Sequence, residues 1–211
     1  NGKFTEVTKE AGLHTGLISF GLGVTVGDVN NDGYPDIYVG NDFIEKDYLY
    51  INQKNGTFKD ELETCMQHIS MSSMSTDVAD INNDGNPDIF TTDMIPDDDY
   101  RLKTTGTFDN VDLYQSKLKA GLYHQFVRNT LQLNNGNNTF SEIANYANVY
   151  GTDWSWGSVF FDADNDGWLD LCVTDFLGQG NRLYHNDGNG TFTRIVAGSV
   201  VTDRGSSTRP V

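Results

Sequence analysis

The chain has 211 residues, 14 lysines and arginines against 30 aspartates and glutamates, a formal net charge of −16, 37% apolar and 12% aromatic residues, 22 glycines and four prolines. That length supports one domain with its own core, and the glycines and aromatics favour strands joined by many turns. The charge argues against nucleic acid or anionic lipid as a partner, and no run of 18 apolar residues exists to span a membrane as a helix.

Asn1-Gly2-Lys3-Phe4 reads as a turn entering a strand and matches the end of a unit that recurs further on, so residues 1–12 are expected to finish a unit that began upstream. Phe20-Gly21 and a small-residue strand then lead into the first copy of a pattern, D-x-[DN]-x-D-G-x-x-D followed by an apolar run, spanning Asp28 to Asp36. A hairpin signal follows, with Leu49 to Asn52, an Asn55-Gly56 turn and Thr57-Phe58. The pattern returns from Asp80 to Asp88, with its hairpin at Leu131 to Asn134 and Asn138 to Phe140, and again from Asp162 to Asp170, with its hairpin at Leu183 to Asn186 and Asn189 to Phe192.

Each unit therefore reads as four antiparallel strands, and a row of such units is the layout of propeller blades. The predicted fold is all-β, a partial β-propeller with blades over 20–62, 73–145 and 155–196 and the start of another at 205–211, where Gly205-Ser206-Ser207 resembles a lead-in. Three blades do not close a ring, so the remaining blades are expected from a longer chain or from partners. The second unit carries an insertion over 94–128, in which Val111, Tyr114, Leu118 and Leu122 recur at helical spacing and predict a short amphipathic helix. Cys65 and Cys172 form no disulfide framework, and Cys172 lies in an apolar run that suits a buried thiol.

The Asp-rich loops predict three Ca²⁺ sites. Calcium takes six to eight oxygen ligands, and side-chain oxygens at positions 1, 3, 5 and 9 with a carbonyl at 7 can wrap one ion. The predicted ligands are Asp28, Asn30, Asp32, the Tyr34 carbonyl and Asp36; Asp80, Asn82, Asp84, the Asn86 carbonyl and Asp88; and Asp162, Asp164, Asp166, the Trp168 carbonyl and Asp170. Gly33, Gly85 and Gly167 at position 6 supply the positive φ of the bend. Loop three has four carboxylates where the others have three, so it is expected to bind most tightly. An EF-hand is excluded because position 12 is Val39, Thr91 or Val173 instead of Glu. The histidines at 14, 68, 124 and 185 share no zinc-ligand spacing. The sequons at Asn55, Asn137 and Asn189 are explained by turn chemistry.

These residues resemble the FG-GAP/VCBS repeats of integrin-α-type propellers, with Phe20-Gly21 preceding the first loop as the family's Phe-Gly does. The phrases Asp93-Met94-Ile95-Pro96, Gln125 to Asn129 and Thr152 to Trp156 resemble, more narrowly, bacterial VCBS-repeat proteins related to cartilage acidic protein and associated with ASPIC/UnbV domains; the region after Asp175 departs from that group. The resemblance implies a propeller with calcium between the first and second strands of each blade, and export to the cell surface or beyond.

Loops at the other strand ends are where a ligand would bind: Asp42 and Phe43, Asp93, Trp154, and Asp175 with Phe176. Aromatics beside carboxylates suit sugars or a partner's basic side chains, which predicts an extracellular binding or adhesion module for a protein or glycan. Trp156 also reads as an inter-blade packing residue, and Asp97-Asp98-Asp99 as a solvated loop. A polysaccharide lyase or hydrolase and a purely structural spacer are the alternatives, and no nucleophile–base motif favours the enzyme.

Overall fold

In a computed structural model that describes residues 2–104, 110–175 and 180–198, the chain forms three antiparallel sheets standing side by side. The first is a meander of β1 (Gly21–Gly27), β2 (Asp36–Asn41), β3 (Tyr48–Asn52) and β4 (Phe58–Asp60). A helical turn, α1 (Leu62–Cys65), and β5 (Ile69–Ser70) lead to β6 (Thr76–Ala79) and β7 (Asp88–Thr91). The chain then leaves through β8 (Met94–Ile95), α2 (Asp99–Thr104), α3 (Val111–Lys119) and β9 (Gln125–Phe126). It returns as β10 (Thr130–Asn134) and β11 (Phe140–Glu142), which complete the second sheet in the order β6-β7-β10-β11.

The third sheet is β12 (Asp153–Phe161), β13 (Asp170–Asp175), β14 (Arg182–Asn186) and β15 (Phe192–Ile195), with β8 added to the free edge of β12. β5 and β9 pair in parallel. This is the all-β, partial-propeller architecture that the repeat predicts. Phe176 and the residues from 205 to 211 lie outside the described residues.

A sheet of four short strands cannot bury enough apolar surface alone, so the core lies between neighbours. Tyr38, Leu49, Leu62, Ile69, Ile89 and Phe140 close the space between sheets one and two. Phe90, Leu131, Val149, Phe160, Leu171 and Phe192 do the same between sheets two and three. The innermost strands approach closely because β1 turns glycines toward β6. A Cβ on Gly23 would stand 2.9 Å from the Thr76 nitrogen, and one on Gly27 would stand 2.7 Å from a Val78 methyl.

The other face of β1 exposes Leu22, Val24 and Val26. Ahead of it, Val7 to Gly12 form a turn whose Ala11 carbonyl accepts the Phe58 N–H at 2.8 Å, just as the Ala147 carbonyl accepts the Phe192 N–H at 3.0 Å.

Some expectations need correction. The insertion does form a helix, capped by the Asn110 side chain on the Asp112 N–H, but Val111 is 76% exposed and the residue α3 buries is Lys117. Burial of a lysine is feasible here because its ammonium donates to the Phe43 carbonyl and to Gln125 Oε1, both at 2.6 Å. Trp156 lies within β12 and is 40% exposed, so it is not enclosed between blades. The Asp97–Asp99 run is exposed, as expected, and partly engaged: Asp98 accepts the Arg101 N–H at the start of α2, and Asp97 pairs with Arg194 at 3.0 Å. Both cysteines are free and half-buried, Cys172 included, because β13 alternates and buries Leu171 and Val173 instead.

Candidate metal loops and binding cavity

The three Asp-rich loops join the first and second strands of their sheets and share one bonding scheme. In loop one, Asp28 accepts the Asp32 N–H at 2.9 Å and the Gly33 N–H at 2.7 Å, and Asp32 accepts the Tyr34 N–H at 3.0 Å. Loop two repeats this with Asp80, Asp84, Gly85 and Asn86, and loop three with Asp162, Asp166, Gly167 and Trp168. The residue at position 3 (Asn30, Asn82 or Asp164) accepts from the same position-5 amide. The glycines at position 6 have φ of +86°, +84° and +91°, and the asparagines at position 4 (Asn31, Asn83, Asn165) are also left-handed.

The ninth-position aspartates are nearly inaccessible. Asp36, Asp88 and Asp170 each take the N–H of loop residue 2 on one oxygen and the N–H of Asn52, Asn134 or Asn186 on the other. Burial, reinforced by the Asp32 and Asp28 charges, raises the Asp36 pKa. Burial, with Asp84 and Asp80, pushes Asp88 up to about 7. A buried carboxylate facing two further carboxylates in one loop belongs to a donor set suited to a hard divalent cation. In loop three, ligand atoms of Asp164, Asp166 and His185 lie within 4.8 Å of one another. His185 stands where blades one and two have Ile51 and Leu133, with Nδ1 3.2 Å from Asp170 and 3.5 Å from Asp164. Spacing along the chain does not reveal it; only the alignment of the third strands does.

Asparagines tie the loops to one another. Asn31 donates to the Gly85 carbonyl and to Asn86 Oδ1, both at 3.0 Å, and Asn83 donates to the Gly167 carbonyl at 3.1 Å. From the third strands, Asn134 donates to the Val29 carbonyl of the first loop at 2.7 Å and to the Pro87 carbonyl of its own at 3.0 Å. Asn186 repeats the move onto Ile81 at 2.8 Å and Leu169 at 3.1 Å.

At the opposite strand ends a cavity of about 500 Å³ is lined by Asp42, Phe43, Ile44, Met71, Ser72, Met74, Met94, Leu113, Lys117, Trp154 and Trp156. Of the residues predicted for a ligand, Asp42, Phe43 and Trp154 meet there. Asp93 and Asp175 are buried and do not line it, and Phe176 falls outside the described residues.

Asp93 builds the wall: its carboxylate accepts Ser70 Oγ–H and the N–H groups of Met71, Ser72 and Met94. Asp47, unremarked in the sequence, does similar work for blade one, accepting Tyr38 O–H at 2.7 Å, Asn41 N–H at 2.8 Å and Ser73 O–H at 2.8 Å. Burial pushes its carboxyl up to about 7.

Asp175 pairs at 3.3 Å with buried Arg182, which also holds Asp153; Arg101 holds Asp153 from α2. These pairs fix the start of β12, where Trp154 lies directly across from Met94. One lining position and one beside the lining are conformationally costly. Phe43 has φ +68°, and Asp153, just before Trp154, has φ +62°.

A family model for the FG-GAP-like repeat matches residues 28–91 and 120–173. That covers more than half of the chain, which belongs to this repeat family. No curated protein matches. Among solved structures, a lectin of Agrocybe aegerita, described as specifically recognising non-reducing terminal N-acetylglucosamine, is similar over 80% of this chain at 16% identity and a TM-score of 0.43. The chain spans 36% of that structure's length. No described helix is long and apolar enough to cross a membrane.

Proposed function

We propose that this chain is a calcium-stabilised propeller module of the cell exterior whose binding site is the cavity at the strand ends away from the Asp-rich loops. The division into blades over 20–62, 73–145 and 155–196, with 1–12 as the end of a blade, is part of the proposal. One Ca²⁺ ion per loop would be held by the side chains at positions 1, 3, 5 and 9 and the carbonyls of Tyr34, Asn86 and Trp168. The carboxylates crowded at Asp36 and Asp88 support this reading. Bound cations would relieve that repulsion and stiffen the loops that the asparagines link.

The observation that carries the binding reading is convergence. Segments 42–44, 71–74, 94, 113–117 and 154–156, far apart in sequence, line one cavity of about 500 Å³, within the range of small-molecule sites. The lining is mostly apolar, which suits an apolar body better than a hydroxyl-rich sugar ring, so a glycan is not carried forward to this cavity.

Two measurements test the proposal. EDTA should lower the melting temperature, and added Ca²⁺, but not equimolar Mg²⁺, should restore it. A ligand at a hundred times its Kd stabilises the folded form by about 2.7 kcal/mol. A melting curve indifferent to both would remove the metal from the reading. A ligand screen followed by Trp154 and Trp156 fluorescence tests the cavity.

A further inference from the structure

We infer that the cavity takes a small organic ammonium ion, its charge met by Asp42 and the faces of Trp154, Trp156 and Phe43. The inference rests on reading the cavity as a binding site and adds the chemistry of what enters. Lining charges decide it. Lys117 is only 5% exposed, and its ammonium is committed to the Phe43 carbonyl and Gln125 Oε1. Burial lowers its pKa against the opposing pull of Asp93 and Asp42, so two carboxylates act on one ammonium.

Asp42 is 5% exposed, and among the described residues its carboxylate accepts one hydrogen bond, from the Phe43 N–H at 2.8 Å. A buried carboxylate with so little compensation favours a cation. An anion would meet that carboxylate inside a chain of charge −16, and a neutral apolar guest would finish desolvating it for nothing in return.

Three aromatic side chains and three methionines supply most of the rest of the lining. Aromatic faces attract organic cations, and thioethers adapt to an irregular apolar body. The strain at Phe43 falls into place as well. A phenylalanine at φ +68° is costly where glycine would be easy, yet the ring stays 58% exposed, braced edge-on by Phe20 at 5.4 Å.

The test uses the Trp168→Phe chain, which leaves only Trp154 and Trp156 to report. Benzyltrimethylammonium, its neutral carbon isostere neopentylbenzene and the anion phenylmethanesulfonate are titrated in parallel. Benzyltrimethylammonium should bind saturably and at least about tenfold more tightly than neopentylbenzene, while the sulfonate leaves the emission unchanged. Asp42→Asn should clearly lessen the preference between the first two, leaving what the aromatic faces supply. Phe43→Gly, which relieves the backbone, should melt at the same or a higher temperature and still bind the ammonium more weakly. Equal affinity for ammonium and isostere, or an Asp42→Asn chain that keeps the preference undiminished, overturns the ammonium inference but leaves a binding cavity standing. Silence from all three probes brings down both.

Discussion

Asn134 offers a sharp test of how the blades are joined. Its amide donates to the Val29 carbonyl of the neighbouring loop and the Pro87 carbonyl of its own, and its oxygen accepts the Gly136 N–H at 3.0 Å. Asn134→Ala strands those groups, two of them against a side chain only 3% exposed. Leaving a buried polar group unpaired costs about 1–3 kcal/mol, so the total should be roughly 2–4 kcal/mol.

Asn52 occupies the same position in blade one, but among the described residues its amide reaches only the Pro35 carbonyl of its own loop, at 3.0 Å and in an exposed setting. Asn52→Ala should cost about 1 kcal/mol. In a chain of this length each kcal/mol moves the midpoint by about 2–4 °C, giving a fall of roughly 5–15 °C for Asn134→Ala against 2–4 °C for Asn52→Ala. Asn186→Ala should follow Asn134→Ala, because it bridges onto Ile81 in the same way. Thermal melts of the three variants, checked by urea titration, provide the comparison. Equal losses at Asn52 and Asn134 would refute the claim that the inter-blade bond carries the difference.

Further outcomes follow from the buried carboxylates. Because burial raises the Asp47 pKa to about 7 in the folded chain, the folded state holds that proton more tightly than the unfolded one. Its contribution is complete below the unfolded pKa and is lost as pH rises through about 7. The melting temperature should therefore fall between about pH 4 and 7 and level off above that, and Asp47→Asn should lessen that slope at constant calcium. An unchanged slope would show that Asp47 is not the group responsible. Asp93→Ala leaves the N–H groups of Met71, Ser72 and Met94 without their acceptor, so it should cost about 3–6 kcal/mol by urea denaturation and abolish benzyltrimethylammonium binding together. A variant that melts normally yet fails to bind would place Asp93 in ligand contact instead.

The repeat made much of this fold readable. Loops with glycine at position 6, hairpins with Asn-Gly turns and alternating strands are local signals, because each depends on the φ and side-chain direction of a few consecutive residues. The position of Asp42, Phe43 and Trp154 at the non-loop strand ends followed from the same topology. What escaped depends on distant segments meeting. Lys117 falls outside the apolar periodicity of its helix, and its burial depends on Gln125 and the Phe43 carbonyl meeting it from other segments. Asp47 sits in an unremarkable connection, and its role appears only when Tyr38, Asn41 and Ser73 converge on it. Asn52, Asn134 and Asn186 read as the last residues of their strands, and nothing local says that two of them also reach the neighbouring loop. Residues 176–179 fall outside the described structure, so the expectation at Phe176 stays with the sequence.

The ties from Asn31, Asn83, Asn134 and Asn186 have one more consequence. An amide carries the same zero charge in acid, in base and in brine, so these joints give ionic strength and proton concentration nothing to act on. A drop in pH, and a chelator if the loops hold Ca²⁺ as proposed, would act on the carboxylate bends while these amide ties keep their grip. The molecule thus separates what responds to its surroundings from what holds it in one piece.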